Sequence, residues 1–256
     1  RAPFERTSSS VRPDTTLVSL MTANNETGTF HPVREIGAAL RERGILFHTD
    51  AVQSFGKHRF DVRDMPVDLL SLSAHKFYGP KGVGALYVRA GLPLTPTVVG
   101  GFHENQRRAG TENVAAIVGM ARAASLAAWE EEDRRLFELT EKLWKGLEAK
   151  IPGLRRNGHA IERLGNTLNV SFADCDGESL LINLDLEGMA VSSGSACMVG
   201  SIQPSHVLAA MGVAGALARA TVRFSLGSLT GMADIATVID KAPAIVARVR
   251  QHSRKD

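Results

Sequence analysis

Cysteine is scarce in this chain: among 256 residues there are two, Cys175 and Cys197. Two cysteines cannot build a disulfide framework, and neither has metal-ligand partners at nearby spacing, so each is expected reduced. Long apolar runs are also missing, as is a signal-peptide pattern, so no membrane span is expected and the expected location is cytoplasmic. Charge of one sign is not in excess, the net value being +3. Basic residues lie mostly in helical runs opposite acidic ones, as in EEEDRRLFELTEKLWKGLEAK, which reads as a solvated helix face and excludes a nucleic-acid footprint. No internal repeat is evident, and low complexity is confined to Ser8, Ser9 and Ser10.

What is present is a globular composition, 44% hydrophobic and 22% charged, with Gly and Pro scattered. Apolar runs predict strands at 16–21, 45–47, 67–72 and 82–88. Between the first two lies PVREIGAALRERG, whose Val33, Ile36, Ala39 and Leu40 recur with helical spacing and whose Gly44 suits a C-terminal cap. Short apolar strands joined through helices predict a parallel sheet covered on both faces. One long helix is predicted from Thr111, its N-cap, to Lys150, with Val114, Ile117, Val118 and Ala121 as its apolar stripe. NTLNVSF and TVRFSLG then predict strands, and helices are expected over 177–186, 204–211 and from Met232 on. The expected organisation is α/β: a mostly parallel large domain over 1–153, including the long interdomain helix, and a smaller α+β domain over 154–256.

In parallel sheets ligands collect beyond the carboxyl ends of the strands. Asn24, Asn25 and Glu26 are expected after the first strand, His48, Asp50 and Gln53 after the second, and Ser73, His75 and Lys76 after the third. Singly, each reads as a loop or cap residue. Together they offer an amine that can condense with an aldehyde and a carboxylate that can hold a protonated pyridine nitrogen. Those are the two protein groups that pyridoxal phosphate needs.

The ordered segments NNETG, HTDAVQS, SAHKFYGPKGVGALYV, RRAGTENV, SSGSAC and RFSLG resemble the cysteine desulfurases of the class V aminotransferase group, pyridoxal-phosphate enzymes of fold type I. The resemblance covers nearly the whole chain. It implies a homodimer that moves sulfur from L-cysteine to a protein thiol and releases L-alanine, for iron-sulfur cluster or thio-cofactor assembly. By position, Lys76 matches the Schiff-base lysine and Asp50 the partner of the pyridinium nitrogen. Gln53 and Asn25 match residues near the ring hydroxyl, Asn25 also lying near the substrate carboxylate. Ser73 and His75 match phosphate ligands, and Thr111 the phosphate contact given by the other subunit. Arg223 matches the arginine that clamps the substrate carboxylate, a task suited to a planar, permanently charged fork. Cys197 matches the nucleophile that takes the sulfur as a persulfide on its way to an acceptor or iron-sulfur scaffold protein. Cys175 matches no motif and is expected to be structural.

Met198 and Val199 stand where the family often has small polar residues, and Asn105 where some members carry arginine. Family members also begin with a further segment, carrying a phosphate loop and a ring-stacking histidine, that the given residues do not match. The chain is therefore expected to be part of a longer protein, and none of His31, His48 or His103 is assigned the stacking role. Two other functions stay open: another pyridoxal-phosphate enzyme of the group, such as a selenocysteine lyase or aminotransferase, and a non-catalytic homologue that acts as an interaction protein.

Overall fold

A computed structural model of the chain describes residues 9–193 and 205–253. Two compact units result, one of residues up to 23 with 31–130, the other of 24–30 with residues from 131 on. In the first unit, β1 (Leu17–Met21), β2 (Leu46–Asp50), β3 (Leu69–Ser73) and β4 (Gly84–Val88) form one sheet in that order. The first two pairings are parallel and the last antiparallel. Helix α1 (Val33–Glu42) makes the β1 to β2 crossover and buries Val33, Ile36 and Leu40. Glu35 in its first turn and Arg41 in its last complement the helix dipole, and Gly44, at φ +69, ends it as expected. Val18 and Leu20, Phe47 and Tyr87 meet α1 on one side of the sheet. On the other side Leu17 and Leu86 are about half exposed, at 47% and 48%, so the expected two-sided cover is not complete among the described residues.

The long helix expected over 111–150 is two helices, α2 (Val114–Leu126) and α3 (Trp129–Lys150). Nothing in SLAAW breaks a helix by propensity, since alanine is the best former. At the break Ala127 turns extended at ψ 110, and Trp129 meets the Phe55 ring edge-on at 4.9 Å. The cap also differs from expectation. Asn113, nearer the first helical turn than Thr111, accepts the Ala116 N–H at 3.2 Å, leaving Thr111 exposed in the preceding loop. Of the expected stripe, Val114 and Val118 are exposed.

The second unit holds β5 (Leu154–Asn157), β6 (Thr167–Phe172), α4 (Gly177–Leu186), β7 (Ser192–Ser193), α5 (His206–Ala210), α6 (Gly215–Arg219), β8 (Thr221–Ser225) and α7 (Met232–Ser253). Its sheet, ordered β5-β6-β8-β7, is antiparallel throughout. Every residue of β6 is buried, and its alternation sorts them. Leu168, Val170 and Phe172 join a core with Leu136, Leu139, Leu143 and Leu147 of α3 and Ile245, Val246 and Val249 of α7. Asn169 and Ser171 receive Asn157 Nδ2 at 2.8 and 2.7 Å. α3 gives its leucines to this core, and the later part of the second unit runs from residue 131 on. No described helix is long and apolar enough to cross a membrane.

Leu143 is 1% exposed within that core. Leu143→Ala is expected to lower stability by about 2–5 kcal/mol through lost burial and a residual cavity, read from the midpoint of urea unfolding at unchanged m-value.

Candidate functional site

β2 runs further than its apolar residues suggest, so His48 and Asp50 are strand residues rather than loop residues. Ladder pairing carries the strand to its end, with Asp50 opposite Met21 on one side and Ser71 on the other. Alternation puts Phe47 and Thr49 on the α1 side and His48 and Asp50 on the opposite side. There the His48 ring bridges two strands: Ser19 Oγ lies 2.7 Å from Nδ1 and Ser71 Oγ 3.1 Å from Nε2. Burial lowers the His48 pKa, against the opposing pull of Asp50, so the ring is neutral near pH 7. A neutral imidazole needs one acceptor and one donor, and two hydroxyls supply both. Sequence reasoning passed over Ser19 and Ser71. Their period-two spacing on strands flanking His48 was the available signal.

Asp50 Oδ1 accepts the Val52 N–H at 2.8 Å, and its second oxygen has no hydrogen-bond partner among the described residues. The loop that follows is pinned from beneath. Gly56 takes φ +81, and a Cβ there would lie 2.3 Å from Phe77 Cβ, so the chain needs glycine for both conformation and clearance. The Phe55 and Phe77 rings pack at 4.9 Å. Gln53 accepts Lys57 Nζ through its backbone carbonyl at 2.8 Å, while its side-chain amide has no partner among the described residues.

β3 ends at Ser73 and passes straight into a 3-10 turn, Ala74–Phe77, closed by Tyr78 at φ 66. Within it Ser73 Oγ and His75 Nδ1 are 2.8 Å apart. Lys76 is half-buried, and its amine has no hydrogen-bond or ion-pair partner among the described residues. Two adjacent parallel strands thus deliver Asp50, Gln53, Ser73, His75 and Lys76 from their carboxyl ends.

Asn25 and Arg223 belong to the second unit. Arg223, in β8, donates from Nη1 to the Asn25 carbonyl at 2.8 Å, and Asn169 Nδ2 donates to the Glu26 carbonyl at 3.2 Å. Asn24 Oδ1 accepts the backbone N–H groups of Glu26 and Thr27, each at 2.9 Å, which fixes the turn. Burial raises the Glu26 pKa, against the Ser205 hydrogen bond and the charges of His206 and Arg223. Cys197, with Met198 and Val199, lies outside the described residues. Cys175 is half-buried and burial raises its pKa, which disfavours the reactive thiolate. No group of metal-ligating side chains forms among the described residues.

The family model described as aminotransferase class-V matches residues 3–238. "Cysteine desulfurase IscS" of Dictyoglomus turgidum is 48% identical over 242 residues, 94% of this chain and 61% of that relative. Among solved structures, a "NIFS-like protein" superposes with a TM-score of 0.87 at 37% identity, over 96% of this chain and 65% of its own. "SspA in complex with cysteine" superposes at 0.74 with 38% identity, over 87% of this chain and 62% of its own. The chain thus spans about 60% of the length of the curated relatives it matches.

The lowered His48 pKa has a sign that melting curves can check. The folded state resists the proton that the unfolded chain takes up below the ordinary histidine value of 6.5, so stability is full above that pH. It is lost as pH falls through the folded pKa. His48→Gln is expected to flatten thermal stability between pH 7 and pH 5 relative to the unchanged protein, with the remaining slope including the share of His31, which burial also lowers. An unaltered slope would show that His48 does not carry this dependence.

Proposed function

The chain belongs to the aminotransferase class-V family, and from that premise we propose that the protein is a cysteine desulfurase using pyridoxal phosphate and L-cysteine. The observation that carries this reading is the Lys76 amine, without a partner among the described residues, on the same turn that pairs Ser73 with His75, one strand from Asp50. The donor set fits the cofactor: an amine for the aldehyde, a carboxylate oxygen for the ring nitrogen, both without a hydrogen-bond partner among the described residues, and hydroxyl and imidazole groups for the phosphate. Names of relatives as cysteine desulfurases, and a cysteine complex of a structural neighbour, support the substrate.

Bound here, the cofactor supplies an electron sink that stabilises negative charge at the substrate carbons. Lys76 would hold the cofactor through its aldehyde and would serve as the base for the substrate's α proton. Asp50 would keep the ring nitrogen protonated, Gln53 and Asn25 would serve the ring hydroxyl, and Ser73 and His75 would bind the phosphate. Arg223 and Asn25 hold the substrate carboxylate. The Cys197 thiolate would attack the substrate sulfur: an S–S bond forms, the carbon–sulfur bond breaks with its electron pair left on the β carbon, which is protonated, and the α carbon regains its proton, so alanine leaves. The persulfide then passes to a sulfur acceptor or iron-sulfur scaffold. Homodimer formation, with Thr111 serving the second subunit, and a cytoplasmic location belong to the same proposal. Exposed Val99, Phe102, Val114 and Val118 are apolar surface that a second copy would cover.

Absorption spectra of the full-length protein with pyridoxal phosphate test this. A visible band is expected, absent in Lys76→Ala and shifted by L-cysteine. Cys197→Ala is expected to keep the band and its shift while sulfide release falls about a thousandfold or more, the scale of removing a nucleophile. Absence of the band in the unchanged protein would remove the reading.

A further inference from the structure

One buried carboxyl has no role in the scheme above. Glu26 is 2% exposed, and its Oε2 accepts the Ser205 hydroxyl at 2.6 Å. Ser205 is itself buried, and its Oγ also accepts the N–H groups of Val207 and Leu208 at 3.1 and 3.2 Å, which makes it the cap of α5. One hydroxyl therefore ties the start of α5 to the Asn24–Thr27 turn. That turn is held in three further ways within the second unit: Arg223 on the Asn25 carbonyl, Asn169 on the Glu26 carbonyl, and Asn24 on its own backbone. Ser205 stands eight residues after Cys197 in the chain, while Ser192 and Ser193, shortly before it, are paired to β8 at Arg223 and Val222. A buried carboxyl is costly unless it is bonded, and here the Ser205 hydroxyl supplies the bond, so the two groups depend on one another.

We propose that Glu26 is a positioning residue for sulfur transfer: through Ser205 it anchors the downstream root of the segment that carries Cys197, from the same turn whose Asn25 carbonyl holds Arg223. Ser205 and Arg223 are thereby tied to one turn. This rests on the reading of Cys197 as the nucleophile.

The test reads Cys197 directly, by its rate of alkylation with iodoacetamide in the full-length protein, resolved from Cys175 by peptide mass spectrometry. Glu26→Ala and Ser205→Ala are each expected to raise that rate about tenfold, the scale of losing one buried hydrogen bond, and the double variant no further than either. Glu26→Gln and Ser205→Thr, which keep an acceptor and a donor, are expected to stay within about threefold of the unchanged protein. In turnover, Ser205→Ala is expected to lose about tenfold in kcat while half-saturating L-cysteine moves less than about threefold. If Glu26→Ala does not fold, the Ser205 Ala and Thr pair carries the comparison. Variants that match the unchanged protein in both rates, or effects that simply add, would overturn the anchor. An unchanged protein that takes up no pyridoxal phosphate would instead overturn the desulfurase reading itself.

Discussion

β2 is hydrogen-bonded on both sides, and the first unit depends on its register. Pairing with β1 and β3 fixes which of its residues meet α1 and which look the other way. A slip of one residue would put Phe47 on the open side and His48 and Asp50 into the apolar layer, so the hydrophobic contact of Phe47 with α1 is what aims the polar pair. The same register sets Asp50 opposite Ser71, two residues before β3 ends in the turn of Ser73, His75 and Lys76. Packing on one side of the sheet thus positions chemistry on the other.

The second unit solves a different problem, which is how to hold a loop that lies outside its sheet and meets the chain near Arg163 by a single bridge at Thr29. The Asn24–Phe30 segment is buried nearly throughout, so its backbone groups need partners that water cannot supply. They find them in Arg223, Asn169, Glu162 and the segment's own Asn24. Polar side chains of β6 have the corresponding task on their own side of the sheet, where Ser171 and Thr221 share a hydrogen bond at 2.7 Å. These bonds contribute modestly one by one, yet leaving any of the buried groups unmade would cost more than the bond provides.

Much of this was legible in the residues. Spacing of Val33, Ile36 and Leu40 announced α1, and Gly44 its end, because both are local consequences of helix geometry. Alternation in NTLNVSF announced β6, and the motif order announced the family. Less legible were the end of β2 and the break before Trp129. An apolar count stops at Phe47, but the ladder continues because neighbouring strands supply bonds that no property of His48 or Asp50 reveals. Ala127 and Ala128 favour helix, and the ring contact of Trp129 with Phe55 accompanies the departure from it. The Ser19, His48 and Ser71 row was invisible for the same reason: each is an ordinary strand residue until register aligns them.

By itself, the order of residues determined the fold class, the sites of most helices and strands, and which side chains could do chemistry. Those are set by periodicity, by turn-forming residues and by side-chain identity, all local properties. Only tertiary structure decided that Lys76 keeps an amine without a partner among the described residues, that Asn113 rather than Thr111 caps α2, and that Glu26 is buried against Ser205. Each is a choice among partners distant in sequence or competing within a turn. Such choices are settled by which groups are brought within hydrogen-bonding reach and shielded from water, and a linear pattern does not encode those distances.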